Sequence, residues 1–267
     1  MISMSSMVEK LAALEAILRA NAPLVVAYSG GVDSACLLAV AHRMLGDKVL
    51  GVIADSPSLP RQALADALGT ARGFGAEVEV VRTQEFEDPR YTANPMNRCY
   101  FCKSELFLRL DALAHERNFE AIAYGENADD PAHLRPGSKA AAEFSILAPL
   151  KQAGLTKADV RALSRELGLP TADAPAQPCL SSRIPHGTPV TRDALALVER
   201  GEELVRSLGF RIFRVRYVVG EPPVARVQIA PEEMAALPAM SEAIGRGLRE
   251  AGFGSVEIDP EGYRSMA

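Results

Sequence analysis

Two periods alternate along the first half of the chain. Short apolar runs at residues 24–28, 48–54, 77–81 and 121–124 predict four buried strands. Between them, apolar residues recur at helical spacing. Val8, Leu11, Leu14, Ile17 and Leu18 mark an amphipathic N-terminal segment, and Leu64, Leu68 and Ala71 share one face of a helix over 60–74. Further helices are expected over 102–117 and over 157–167, the last stopped by Gly168. Residues 126–142 read as a polar loop able to close over a site, and 145–147 as a short fifth strand. This rhythm predicts an α/β fold, a doubly wound parallel sheet with helices on both faces. Ligands of such sheets bind at the C-terminal ends of the strands.

The rhythm stops at residues 170–189, which are rich in Pro, Ser and Thr and have no period. Beyond them a helix over 192–208, strands over 211–219 and 224–229 joined by a turn at 220–223, a helix over 240–251 and a strand over 255–259 make a small α+β unit. The expected division is a nucleotide-binding domain over 1–170, a cysteine-bearing active-site loop over 171–190, and a substrate-binding or oligomerisation domain over 191–267.

Composition narrows the function. Of 267 residues, 48% are hydrophobic and 24% charged, the balance of a soluble globular protein. A net charge of −5 gives no bulk attraction to nucleic acid and disfavours tRNA as substrate. No apolar run approaches the roughly 20 residues of a membrane span, and the N-terminal segment lacks the basic start of a signal peptide. A cytoplasmic location is expected, where four cysteines would be reduced, catalytic or metal-bound rather than paired in structural disulfides.

The most informative stretch is Ser29-Gly30-Gly31-Val32-Asp33-Ser34, set between the first strand and an apolar helix. A strand, a Gly-rich turn and a helix N-terminus make an anion site, because backbone N–H groups and the helix dipole both favour negative charge. Gly30 and Gly31 supply conformational freedom and close backbone approach. Ser29 and Ser34 add hydroxyl donors, and Asp33 can cap the helix or hold Mg²⁺. No lysine follows, so this is not the Walker loop. The pattern resembles the PP-loop of ATP pyrophosphatases, which bind the pyrophosphate portion of ATP and transfer AMP.

Cys99 and Cys102 form a CxxC, and Cys179 lies in the Pro-rich junction. Three thiolates in polar loops suit a [4Fe–4S] cluster with one open iron, a zinc site completed by His186, or a disulfide relay. Cys36, inside an apolar helix, reads as a core residue.

Seven stretches now make the resemblance specific: SGGVDS at 29–34, DSPSLPR at 55–61, NRCYFCK at 97–103, YGENADD at 124–130, RPG at 135–137, CLSSRIPHGTPVT at 179–191 and RVR at 214–216. In this order they resemble the LarE family of ATP-dependent sulfur transferases. The resemblance implies adenylation of a carboxylate of pyridinium-3,5-biscarboxylic acid mononucleotide and replacement of AMP by sulfur, on the way to the nickel-pincer cofactor of lactate racemase. It implies ATP and Mg²⁺, and, because all three cysteines are present, the cluster-bearing type, with Cys99, Cys102 and Cys179 on a [4Fe–4S] cluster. Family members with one cysteine at the position of Cys179 give up its sulfur instead. Cys179 and Asp33 are thus the catalytic candidates. A sulfide donor, a downstream nickel-insertion protein and a homo-oligomer are the implied partners.

Other positions are assigned more loosely. Asp55 and Ser56 follow the second strand beside the expected adenosine. Gly125 ends the fourth strand, where a missing side chain admits base or ribose, and Arg135 is placed on ATP phosphate. Asp129 is a second Mg²⁺ candidate, whereas Asp130 reads as solvated. Arg214 and Arg216 lie two apart on one strand face and suit a mononucleotide phosphate, with Arg226 a possible third and Ser182 and Arg183 nearby in sequence to the cysteine. Glu199, Glu202 and Glu203 read as solvated helix residues. The competing functions are a PP-loop tRNA thiolase and an ammonia-using ligase of the amidotransferase or NAD-synthase type.

Overall fold

The computed structural model describes residues 4–131 and 136–263. Two compact units emerge: residues 1–88 with 97–177, and the eight-residue segment Pro89–Met96 with 178–267.

The first unit opens with α1 (Met4–Ala20), β1 (Leu24–Ala27) and α2 (Val32–Leu45), followed by β2 (Val49–Asp55), α3 (Arg61–Gly73) and β3 (Val78–Arg82). α4 (Arg98–Arg117), β4 (Ala121–Tyr124), α5 (Pro136–Glu143) and α6 (Lys157–Glu166) complete it. The strands are parallel in the order β3-β2-β1-β4. Successive residues of β1 face opposite ways. Leu24 and Val26 join α1, α2 and α6 in one core, while Val25 and Ala27 join Phe107 and Leu110 of α4 in another. Helices therefore cover both faces, and the doubly wound α/β fold is realised. β2 and β4 flank β1 on opposite sides, so the crevice for a ligand opens beyond the C-terminal ends of β1 and β4.

Three expectations in this unit change. The helix placed over 102–117 begins four residues earlier, at Arg98, because nothing between Pro95 and Arg117 breaks it. The CxxC is consequently helical and not part of a loop. The polar loop over 126–142 contains α5, whose Ala140 and Ala141 pack with Phe107. The fifth strand reduces to one bridge, Leu147 against Ala123.

The second unit contains α7 (Arg192–Ser207), β5 (Phe213–Val218), β6 (Val224–Ile229), α8 (Leu237–Ala251) and β7 (Ser255–Ile258). β5 and β6 pair antiparallel, and β7 adds parallel to β6 after the α8 crossover. Val215, Val227 and Ile229 meet Leu248 and Ile244 in its core. No helix among the described residues is long and apolar enough to cross a membrane.

Candidate functional site

The turn after β1 is built by its own side chains. Gly30 has φ +75°, and a Cβ there would sit 2.6 Å from Cβ of Ala67, so glycine is required twice over. Gly31, at φ −73° and ψ 160°, uses ordinary extended backbone and caps α2; the freedom expected of both glycines belongs to Gly30 alone. Ser34 Oγ accepts from the Ser29 amide at 3.1 Å and donates to the Gly31 carbonyl at 3.1 Å, and the Ser29 and Ser34 hydroxyls lie 3.0 Å apart.

Asp33 stands in the first turn of α2 and is the centre of a charge network. Its Oδ1 accepts from Asn127 Nδ2 at 3.1 Å, and its Oδ2 lies 2.5 Å from Lys157 Nζ. Lys157 opens α6, behind a capping box in which Thr156 Oγ1 accepts from the Asp159 amide and Asp159 accepts from the Thr156 amide. Asp129 Oδ2 accepts from the Lys157 amide at 2.8 Å. Asp33 and Asp129 thus meet at one lysine, and two helix N-termini converge beside the Gly-rich turn. Lys157 escaped sequence reading, because a lysine at the start of an amphipathic helix looks like an exposed residue.

Gly125 behaves differently from expectation. A Cβ on it would lie 2.6 Å from the Ser34 amide nitrogen and 2.9 Å from the Asp33 carbonyl carbon. The missing side chain admits the first turn of α2. Next to it, the buried Glu126 carboxylate accepts from Tyr124 Oη, from Ser138 Oγ at 2.7 Å, and pairs with Lys151 at 3.4 Å. Burial alone would raise the Glu126 carboxyl, but these donors and the ammonium outweigh it and hold it below the usual carboxylate range. Burial and the bond to Glu126 push the Tyr124 phenol up, so it keeps its proton and donates.

At the end of β2, Asp55 Oδ1 pairs with Arg61 at 2.6 Å, and Arg61 also donates to the Ser56 and Leu59 carbonyls. Ser56 Oγ, in a buried residue, accepts from the Ser58 amide at 3.1 Å. Arg135 lies outside the described residues.

Cys99 and Cys102 fall in the first turns of α4, three residues apart and so on one helical face. None of the four cysteines forms a disulfide; Cys99 is exposed, Cys102 half-buried and Cys36 buried. Burial pushes the Cys36 thiol up to about 12, which suits its core role. Among the described residues no three His, Cys, Asp or Glu side chains form a ready-made metal site. The donor chemistry still fits an iron–sulfur group: three thiols outside any disulfide, two of them in the first turns of one helix.

In the second unit Cys179 precedes a 3₁₀ turn, Leu180–Arg183. Arg183 is buried and spends its guanidinium locally. Nε and Nη2 donate to Glu202 at 2.8 and 3.0 Å, and Nη1 donates to the carbonyls of Pro178 and Cys179 at 2.6 and 3.0 Å. Glu202 is therefore not solvated as its helix position suggested; it is buried and also accepts from the Val215 amide at 3.2 Å. Glu203 is exposed, as is His186.

Arg214 and Arg216 project from the same face of β5. Arg214 stacks 4.5 Å from the Tyr263 ring centroid, and Arg216 donates to Gln228 Oε1 at 2.6 Å and to the Ser182 carbonyl at 3.0 Å. Burial, then the adjacent Arg183 charge, lower both guanidinium pKa values. Arg226, directly opposite Arg216, turns to Glu257 instead. Half-buried guanidiniums that repel one another carry positive charge that an anion would offset.

No family model matches the chain. Individual relatives do. It is 33% identical over 263 residues to pyridinium-3,5-bisthiocarboxylic acid mononucleotide synthase of Lactiplantibacillus plantarum, covering 98% of this chain and 94% of that protein. The chain belongs to the LarE family. A Synechocystis sp. protein described as uncharacterized is 42% identical over 90% of both chains. A GMP synthase of Thermomicrobium roseum is 29% identical over 68% of this chain and 39% of its own length. That shorter match fits the PP-loop fold, which LarE proteins share with GMP synthases.

Proposed function

We propose that this LarE protein is an ATP-dependent sulfur transferase that converts a carboxylate of pyridinium-3,5-biscarboxylic acid mononucleotide into a thiocarboxylate. The observation that carries the reading is the full-length similarity to the mononucleotide synthase. A carboxylate is a poor electrophile because oxide would have to leave. Its oxygen attacks the α-phosphorus of ATP, pyrophosphate departs, and the acyl adenylate then offers AMP as leaving group to a sulfur nucleophile.

The chain's own residues divide this work. The backbone N–H groups of the turn at 29–34 and the N-terminus of α2 hold the departing pyrophosphate. Lys157 neutralises Asp33 before ATP binds. Asp33 and Asp129 would hold Mg²⁺, which would supply charge neutralisation on the triphosphate, and the Lys157 ammonium beside them is placed to meet phosphate. Asp55 and Ser56 frame the nucleoside. Arg214 and Arg216 grip the substrate phosphate, and Ser182 lines the same anion site. Arg183 holds the backbone at Cys179.

Cys99, Cys102 and Cys179 would hold a [4Fe–4S] cluster, which would supply sulfur in anionic form near neutral pH. A cytoplasmic sulfide donor reloads the site, a nickel-inserting protein takes the product, and the chain works as a homo-oligomer.

Anaerobic purification followed by iron and acid-labile sulfide analysis tests the sulfur source. Cysteine-ligated iron is expected; absence of iron, with Cys179 converted to dehydroalanine after turnover, would assign the sulfur to Cys179 itself. Pyrophosphate release tests the activation step. Cys179→Ala should keep it and lose thiocarboxylate formation, and tight salt-sensitive tRNA binding would favour the thiolase reading instead.

A further inference from the structure

The chain leaves the nucleotide-binding unit at Asp88 and returns at Asn97, one residue before the helix bearing Cys99 and Cys102. The eight residues between, Pro89–Met96, belong to the second unit, where they bond to the segment that follows Cys179.

Tyr91 and Ser181 are both fully buried, with their hydroxyl oxygens 2.9 Å apart. Asn94, with no exposed surface, adopts φ +56°, a conformation that asparagine tolerates better than most residues. Its Nδ2 donates to the carbonyls of Pro185 at 2.8 Å and Thr188 at 2.9 Å, with a longer contact of 3.4 Å to that of Ile184. In return the Gly187 amide donates to the Asn94 carbonyl at 3.0 Å, and the Val190 amide to the Thr92 carbonyl at 2.8 Å. A Pro-rich segment has few regular partners of its own, so these bonds take the place of secondary structure.

We propose that Pro89–Met96 is a clamp that positions the Cys179 segment for sulfur transfer, with Asn94 as its main positioning residue. The inference rests on the function proposed above. The clamped stretch begins with Ser181, two residues after Cys179, and the clamp is continuous in sequence with the CxxC helix. One buried amide therefore ties the peptide carrying the third thiol to the peptide leading into the other two. The proposed adenylation step uses the Gly-rich turn and not this segment, so pyrophosphate release should not need the clamp.

Asn94→Asp tests this in the full-length protein. It keeps the size of the side chain and its tolerance of positive φ but replaces two donors with a carboxylate facing three carbonyls. Hydrogen–deuterium exchange at the Gly187 and Val190 amides should quicken roughly tenfold, while the α2 amides stay protected. Pyrophosphate release should stay within about twofold of the parent, but thiocarboxylate formed per pyrophosphate should fall several-fold as water intercepts the adenylate. Tyr91→Phe, which removes one hydroxyl, should shift both readings the same way by less. Unchanged exchange at Gly187 and Val190 would overturn the clamp. A parallel loss of pyrophosphate and thiocarboxylate, or faster exchange with unchanged coupling, would overturn its positioning role. The exchange measurement needs no substrate, so it judges the clamp even if the parent protein makes no thiocarboxylate, a result that would defeat the functional reading instead.

Discussion

Lys157 Nζ lies 2.5 Å from Asp33 Oδ2, although 124 residues separate them. The contact joins the starts of α2 and α6 and places an ammonium beside the Gly-rich turn. The two side chains are 40% and 19% exposed, so the pair contributes at most about 1 kcal/mol to stability. In the proposed activation step its role is larger, because a fixed cation beside departing pyrophosphate would stabilise the transition state. Lys157→Met should leave the melting temperature nearly unchanged and lower pyrophosphate release by roughly 10²-fold. A large loss of stability with little loss of rate would make the pair structural.

Gly125→Ala probes the opposite side of the same turn. Its new Cβ would fall 2.6 Å from the Ser34 nitrogen, and backbone cannot yield as a side chain can. The first turn of α2 must shift, at a cost of about 1–3 kcal/mol. A lower melting temperature with a raised KM for ATP is expected. Unchanged values of both would show that the turn has room to spare.

The fold was legible because apolar strands and amphipathic helices carry different periods, and β4 and β6 span the residues anticipated. The Gly-rich turn was legible as a local motif. What the sequence could not show depends on pairings distant along the chain. Asp33 with Lys157, Arg183 with Glu202, and Asn94 with the 184–188 carbonyls each join a residue to a partner that the sequence did not flag: Lys157 and Asn94 carried no motif, and Glu202 read as solvated. Gly125 illustrates the same limit: its lack of a side chain was visible, but the neighbour that needs the space comes from 91 positions earlier, at Ser34.

Asp159 should give the nucleotide-binding unit a pH dependence. Burial alone would raise its carboxyl, but the Lys10 ammonium at 2.7 Å and the Thr156 amide and hydroxyl outweigh burial and hold it below the usual carboxylate range. A folded pKa below the unfolded value contributes stability that is complete above the unfolded pKa of about 4 and is lost as pH falls through the folded one. The stability gap between parent and Asp159→Asn, from urea melts, should therefore be constant near neutrality and shrink below about pH 4. A gap that widens on acidification would contradict this sign. Lys10→Met should destabilise the parent at neutral pH and have less effect in the Asp159→Asn background.

The Arg183–Glu202 pair is buried on both sides, at 3% and 6% side-chain exposure, and breaking it strands a charge. Glu202→Ala should cost about 3–5 kcal/mol in denaturant unfolding. Replacing both partners with apolar residues, Arg183→Met with Glu202→Leu, should recover much of that stability while leaving sulfur transfer impaired, since the Cys179 carbonyl loses its donor. Full activity in the double variant would mean that the guanidinium serves only the core.

Arg214 and Arg216 remain partly exposed on one face of β5, where the proposed function sets the substrate phosphate. Arg214→Ala removes the guanidinium stacked on Tyr263 and one of two charges on that face of β5. If they bind substrate phosphate, KM for the mononucleotide should rise by roughly 10–100-fold with KM for ATP nearly constant, the pattern of a lost charge-assisted contact outside the reacting centre. Arg214→Lys should restore only part of it, because an ammonium keeps the charge but not the planar fork. A larger rise in KM for ATP than for the mononucleotide would move these arginines to the nucleotide.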